Sequence, residues 1–351
     1  MSRAKEKTDW LAEGQNALLD LLSERLVIPW FEAESRISST GWKSFRKVQP
    51  LQLHESRKSL ASSGQIIEER TAHPIPVVTV RLPFPPDRRK EITRLRGRRR
   101  KLYRKYLSWS NDERLCGKHA ERVVLASLEA ASSKAGLYVP PQKLGEIDQV
   151  KGVKIPLGPL DCLAFILELP DLGFDVTLVV EVKNINDWIY PWTKELWELL
   201  VKAAHLATHI PVVPLLVCMR AVPIILNMAE DIGFFYAQAR EQLFSTSILA
   251  DDFQEVVNDF GLTIIQHEGP LDSIKDFLTK TLRLSPPWSP PYNEDIQWYK
   301  RQAHRFQIIA PVILAYRNLA NTLRDDARTN MFNGFKTAAH AACQWPAVRG
   351  W

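Results

Sequence analysis

The spacing of apolar positions sorts the chain into regions of different character. In "NALLDLLSERL" the leucines at 18, 19, 21, 22 and 26 fall near one helical face. "FEAESRIS" reads as a second, short helix, and "LQLHESRKSLASSG" as a third, stopped by Gly64. The runs "QIIEER" and "VVTVRL" read as strands. The prolines of "TAHPIP" between them forbid a continuous ladder and predict a turn. Beyond Asn111 the pattern alternates between helical and strand periods. "GKHAERVVLASLEAA" is helical, "LDCLAFILE" and "VTLVVEVK" are strands around a short "LPDLGFD" turn, and "TKELWELLVKAAHLA" is a strongly amphipathic helix. "VVPLLVCM" is a buried strand, and the alternation continues to about Arg283. Such alternation predicts an α/β domain around a mixed sheet flanked by helices. "SPPWSPP" then leads into a helical tail. The expected boundaries are 8–82 for a small helical and hairpin domain, 83–110 for a connector, 111–284 for the α/β domain, and 285–351 for the linker and tail.

One strand breaks the apolar rule. In "LVVEVKNIND", Leu178, Val179, Val180 and Val182 suit a core, yet Glu181 and Lys183 interrupt them. Residues two apart in a strand share a face. Glu181 and Lys183 therefore emerge together with Val179, expected to line a cleft, while Val180 and Val182 face the other way. One hairpin earlier, Asp161 opens the strand "DCLAFIL". A one-residue shift of register decides whether its carboxylate joins Glu181 or is hidden. In the joining register, the two carboxylates and the Val182 carbonyl make an oxygen-lined site suited to Mg²⁺ or Mn²⁺. Lys183 then stands where it can orient or deprotonate water and balance charge on a phosphate.

Composition and charge narrow the partners. The net charge is +6, but Arg88 to Lys105 alone carries +10, which leaves the remainder at −4. Within it Arg94 faces Arg98, Arg96 faces Arg100 and Arg100 faces Arg104. Like charges four residues apart destabilise a helix unless a polyanion neutralises them. A phosphate-tracking connector is expected, with a solvated basic helix as the plainer alternative. The four cysteines form no CxxC pair, which argues against a zinc site or a disulfide framework. The N-terminal "MSRAKEKTDW" has no apolar core of the signal-peptide kind, and runs such as Ile210 to Met219 are too short for a bilayer. A cytoplasmic, nucleoid-associated protein with no membrane partner is the expectation. His119 reads as a surface helix residue. The tryptophans 188, 192 and 197 read as packing groups, and Arg220 as a distant candidate for a phosphate contact.

Two resemblances follow from these residues. Three helices followed by a hairpin resemble a winged helix-turn-helix, whose third helix enters the DNA major groove. That likeness would put His54, Glu55, Arg57 and Lys58 near DNA; the alternative is a small domain that docks a protein. "GPLD" ending at Asp161, "VVEVKN" with Glu181-Val182-Lys183, and "GKHAERVVLASL" with Glu121 resemble the PD-(D/E)xK nuclease superfamily, with its restriction-endonuclease-like or Holliday-junction-resolvase-like core. The proline usually written directly before the aspartate is Pro159 here, with Leu160 between. The resemblance implies that Asp161 and Glu181 are metal ligands with the Val182 carbonyl, that Lys183 is the catalytic lysine, and that Glu121 binds metal directly or through water. A Lys on the following helix, Lys194 or Lys202, would add a contact.

The expected function is a Mg²⁺-dependent DNA endonuclease (Mn²⁺ as a substitute) acting on duplex or branched DNA, as a homodimer or in a larger complex. DNA would be held by Arg57, Lys58, Arg94, Arg96, Arg98, Arg99, Arg100, Lys101, Arg104 and Lys105. A non-catalytic DNA-binding scaffold with a nuclease-like fold and an RNA-directed nuclease are the alternatives.

Overall fold

A computed structural model describes residues 2–45, 47–70, 78–84, 86–135, 137–166, 176–185, 187–281, 292–318 and 325–343. The expected turns "TAHPIP" and "LPDLGFD", and the linker "SPPWSPP", lie outside them. The chain packs as two compact units. The first holds residues 1–112 and 246–265, and the second holds 113–245 and 266–351.

The first unit starts with helix α1 (Ser2–Arg25), strand β1 (Val27–Pro29), the single turn α2 (Trp30–Ala33) and a π-helical stretch, Glu34–Thr40. Helix α3 (Pro50–Ser62) and strands β2 (Ile67–Arg70) and β3 (Val78–Arg81) follow. The three strands form an antiparallel sheet in the order β1-β3-β2. Strand β1 was not expected: three residues between two helices carry no usable periodicity. Of the leucines read on one helical face, Leu18, Leu21 and Leu22 are fully buried with Ile28, Ile37, Leu53 and Val80, Leu19 is half-buried, and Leu26 is half-buried and lies just past the end of α1. Helix α4 (Arg89–Ser110) is the basic segment. Its inner face carries Ile92, Arg99, Leu102 and Tyr106.

The second unit begins with α5 (Gly117–Ala135), then β4 (Leu137–Tyr138), β5 (Gln149–Val150), β6 (Val153–Lys154), β7 (Cys162–Ile166) and β8 (Val176–Lys183). Next come α6 (Lys194–Ala207), β9 (Val212–Cys218), α7 (Ile224–Ile232), β10 (Phe235–Gln238) and β11 (Gln242–Phe244). The main sheet has the order β10-β9-β8-β7-β4, parallel from β8 to β10 and antiparallel from β8 to β4. This is the mixed sheet with flanking helices that the alternation predicted. The chain then leaves this unit to form α8 (Ala250–Phe260) within the first, where it packs on α4. It returns through β12 (Ile264–Gln266), and α9 (Asp272–Asp276), α10 (Tyr292–Ala315) and α11 (Asp325–Cys343) complete the second unit.

The tail is part of the core of that unit. Phe306, Ile309, Ala310 and Ile313 of α10 and Phe335 of α11 are fully buried with the apolar residues of α6. Gly233, at φ +84°, ends α7 where a Cβ would stand 2.6 Å from the Gln302 carbonyl, so a glycine lets α10 come close. Removing a buried aromatic leaves a cavity. Phe306→Ala should therefore lower unfolding free energy by about 3–5 kcal/mol, measured by chemical denaturation. An effect near zero would show that α10 does not belong to this core.

Candidate active site

The register of β7 against β8 decides where Asp161 stands. Cys162 pairs with Val180 and Leu163 with Val179. One step further along the same antiparallel pairing, Asp161 lies opposite Glu181, and opposite residues share a face. This is the register that brings the two carboxylates to one side. Asp161 Oδ2 accepts a hydrogen bond of 2.6 Å from the Val182 backbone N–H, which fixes the carboxylate at the strand end.

The face itself differs from expectation. Every residue of β8 from Val176 to Val182 is buried, so Glu181 does not line an open cleft. The other side of the strand meets α5, whose stripe Ala120, Val123, Val124, Leu128 and Ala131 is buried. Glu181, only 2% exposed, faces the α6 side together with Val179. A carboxylate taken out of water needs partners, and it has two ammonium groups. Lys183 Nζ donates to its Oε1 at 2.9 Å. Lys202 Nζ, from α6, donates to both oxygens at 3.2 and 3.1 Å and to the Pro159 carbonyl at 2.7 Å. Of the two lysines considered on this helix, Lys202 therefore reaches the site. Lys194 is exposed and pairs with Glu198 instead.

Glu121 rides on the second turn of α5, at the edge of its buried stripe. Its Oε2 is buried without a hydrogen-bond partner. Burial, followed by the negative charge of Asp161, pushes its carboxyl up to about 7. Asp161 is pushed up to about 6, first by burial and then by Glu181, against the pull of the Val182 N–H and both lysines. Burial works against the Lys183 ammonium, but Glu181 and Asp161 outweigh it and raise its pKa, so this lysine holds its proton. Three carboxylates and two ammonium groups thus share one electrostatic environment. Among the described residues, no three His, Cys, Asp or Glu side chains stand close enough to form a metal site as they are. The donor chemistry nevertheless fits a hard divalent cation. It is all oxygen, one oxygen is orphaned, and burial, with repulsion between the acids second, raises two carboxyl pKa values, a cost a cation would relieve.

A polar clamp that the sequence reading missed positions this set. Asn184, directly after Lys183, donates through Nδ2 to the carbonyls of Cys116 (3.1 Å) and Leu243 (2.6 Å), and its Oδ1 accepts from Leu243 N–H at 2.8 Å. Gln242 Nε2 donates to the Asn184 carbonyl at 3.0 Å. Cys116 immediately precedes α5, so the clamp ties the helix bearing Glu121 to the end of the strand bearing Glu181. An uncharged polar residue after "EVK" was the available signal.

Other expected positions separate clearly. His119 is buried, not a surface residue, and its Nε2 bonds the His267 carbonyl at 2.7 Å. Arg220 is buried with its guanidinium over the Trp188 ring. Trp197 is fully buried and donates to the Pro191 carbonyl.

In the first unit the ten residues expected on DNA divide in two. Arg57 is buried, pairs with Glu68 at 3.2 Å and lies over Trp30. Arg99 is buried and binds Glu32 at 2.9 Å, a carboxylate that also holds Arg25 and Arg36. These two point into their own unit, which corrects the expectation that they meet phosphate; a buried Glu32 and the half-buried Glu68 draw them in. Arg96 pairs with Glu69, Lys105 with Asp252 at 2.7 Å, and Arg98 stands 3.7 Å from Glu255. Arg100 is half-buried. Lys58, Arg94, Lys101 and Arg104 are exposed. Tyr103 and Tyr106 stack on Phe31 and so face the core of this unit.

Set against protein-family models, curated proteins and solved structures, the chain matches none of them.

Raised carboxyl pKa values make stability depend on pH with a definite sign. Asp161 moves from 3.8 to about 6 on folding. The native state therefore holds more protons than the unfolded state between these values, and stability falls as pH rises through them. Asp161→Asn should match the parent near pH 4 and exceed it at pH 8 by up to about 3 kcal/mol, read from denaturation at the two pH values. A variant less stable than the parent at pH 8 would contradict the assigned cost of ionising this buried carboxyl beside Glu181.

Proposed function

We propose that the second unit is a Mg²⁺-dependent phosphodiesterase that cuts DNA, built on a restriction-endonuclease-like core of the PD-(D/E)xK kind. The observation that carries this reading is the β7–β8 register, which sets Asp161 against Glu181 with Lys183 bonded to the latter. Supporting it are the order of α5, the main-sheet strands β4, β7 and β8, then α6 and β9, and the place of the cluster at the carboxyl end of the parallel strand β8, where open α/β sheets hold ligands. The order α1, β1, α2, α3, β2, β3 with sheet order β1-β3-β2 likewise supports a winged-helix reading of the first unit.

In this reading Asp161, Glu181 and the Val182 carbonyl hold the cation, with Glu121 binding it directly or through water. Mg²⁺ or Mn²⁺ supplies Lewis acidity toward the scissile phosphate and lowers the pKa of water. Lys183, protonated at rest, offsets charge that builds on the phosphate and orients the attacking water. Lys202 is a positioning residue: its three hydrogen bonds hold the Glu181 carboxylate against the strand end. The Asn184 clamp keeps Glu121 in register with the other acids. The exposed face of α4 supplies Lys90, Arg94, Lys101 and Arg104, which form no ion pair among the described residues.

A second reading is a DNA-binding scaffold without catalysis. It is favoured by the saturation of Glu181 by two lysines and by the lack of a ready three-residue metal site among the described residues. Incubation with supercoiled plasmid separates the two. The catalytic reading predicts Mg²⁺-dependent nicking that a chelator abolishes and that Lys183→Ala slows by about 10²-fold or more. Failure to cut duplex, branched or single-stranded DNA, or cutting by Lys183→Ala and Glu181→Ala as fast as by the parent, overturns the catalytic reading. Cleavage of matched RNA but not DNA would move the substrate class.

A further inference from the structure

Helix α4 carries a glycine that its own fold does not require. Gly97 lies mid-helix and exposed. A Cβ built on it meets nothing within 4 Å, and its φ is not in the left-handed region. Glycine is, after proline, the residue least favoured in a helix interior. Neither close packing nor backbone conformation therefore explains it within the unit.

Its surroundings supply a reason. Lys90, Arg94, Gly97, Lys101 and Arg104 follow one another in steps of four and three residues, which places them on one helical face. All five are exposed, and the four cations form no ion pair among the described residues. The opposite face is used up: Arg96 and Arg99 are bound to Glu69 and Glu32. The outer face is thus a row of unneutralised cations with a notch at its middle. From Lys90 to Arg104 the row spans about 21 Å at 1.5 Å per residue. That exceeds the roughly 12 Å width of the DNA major groove, so the row reaches phosphates on a flanking strand.

We propose that Gly97 is the point at which the sugar–phosphate backbone of a DNA duplex lies against α4, with Arg94 and Lys101 gripping phosphates on either side. This rests on the reading of α4 as a nucleic-acid surface. A glycine lets a phosphate approach the helix backbone closely, where any side chain would hold it off.

Binding of a fluorescently labelled duplex, followed by anisotropy at ~0.1 M salt in chelator so that no strand is cut, tests this for four proteins. The parent should bind. Gly97→Ala should bind more weakly while melting at the same or a higher temperature. Gly97→Leu should lose about tenfold, the scale of one phosphate contact at that salt. Arg94→Glu with Lys101→Glu should lose binding. If the charge-reversed protein loses binding but both Gly97 variants bind like the parent, the notch is overturned and the α4 surface stands. If the charge-reversed protein binds like the parent, or the parent does not bind at all, the α4 surface falls and the notch with it. Weaker binding by a Gly97→Ala protein that melts no lower than the parent is the outcome a purely structural glycine would not give.

Discussion

A carboxylate that is nearly out of water constrains everything around it. Glu181 cannot stay charged in the second unit unless cations come to it, and the strand, helix and loop are arranged so that they do. Lys183 arrives from two residues along the same strand face. Lys202 arrives from α6 and is itself tied to the Pro159 carbonyl just before Asp161. The same lysine thus links the chain before β7, the carboxyl end of β8 and the covering helix. Asp161 closes the arrangement by taking the Val182 N–H. A site built this way is stiff, but its charges do not balance. Glu121 and Asp161 retain protons at pH values where exposed carboxylates would be ionised. Burial and the neighbouring acids together set the place apart from an ordinary buried ion pair and make a cation a fitting occupant.

The two units treat buried charge differently. In the first, Glu32 is surrounded by Arg25, Arg36 and Arg99, and Asp259 of α8 joins Arg25 and Arg99, so each acid has close cationic partners. The arginines there hold α4 and α8 to the rest of their unit. In the second unit Glu181 takes both Lys183 and Lys202, while Lys118 acts on Glu121 from a more exposed position. Acids with close cationic partners serve packing, and buried acids without an ion pair of their own invite a ligand. The basic helix shows the same sorting along a single element: its inner arginines are spent on acids, and its outer row is left to solvent.

Much of this was legible in the sequence. The period-two placement of Glu181 and Lys183, the Asp161 one hairpin earlier and the stripe of α5 all lie in local spacing, and local spacing is what a sequence displays. The alternation beyond Asn111 gave the mixed sheet. What could not be read depends on distant partners. Lys202 was one of two lysines on a helix, and only the packing of α6 on the sheet selects it. The burial of Glu181 depends on helices that cover the face expected to be a cleft. Arg57 and Arg99 looked like their exposed neighbours because a run of arginines does not reveal which of them meets an acid far along the chain. The return of α8 to the first unit leaves no mark in local periodicity. Strand β1 was too short for any pattern, and Asn184 drew no reading because its partners, Cys116 and Leu243, are remote.

The central claim is that Asp161, Glu181 and Glu121 act as one acidic centre that a divalent cation completes. Calorimetric titration with Mn²⁺ tests it most directly, run between pH 6 and 7, between the values at which Asp161 and Glu121 give up their protons. Two buffers of different ionisation enthalpy would be used. Binding should release protons, so the apparent heat should differ between the buffers. Asp161→Asn should weaken binding and remove part of that difference. Absence of binding by the parent, or binding with the same heat in both buffers and unchanged by Asp161→Asn, would contradict the account.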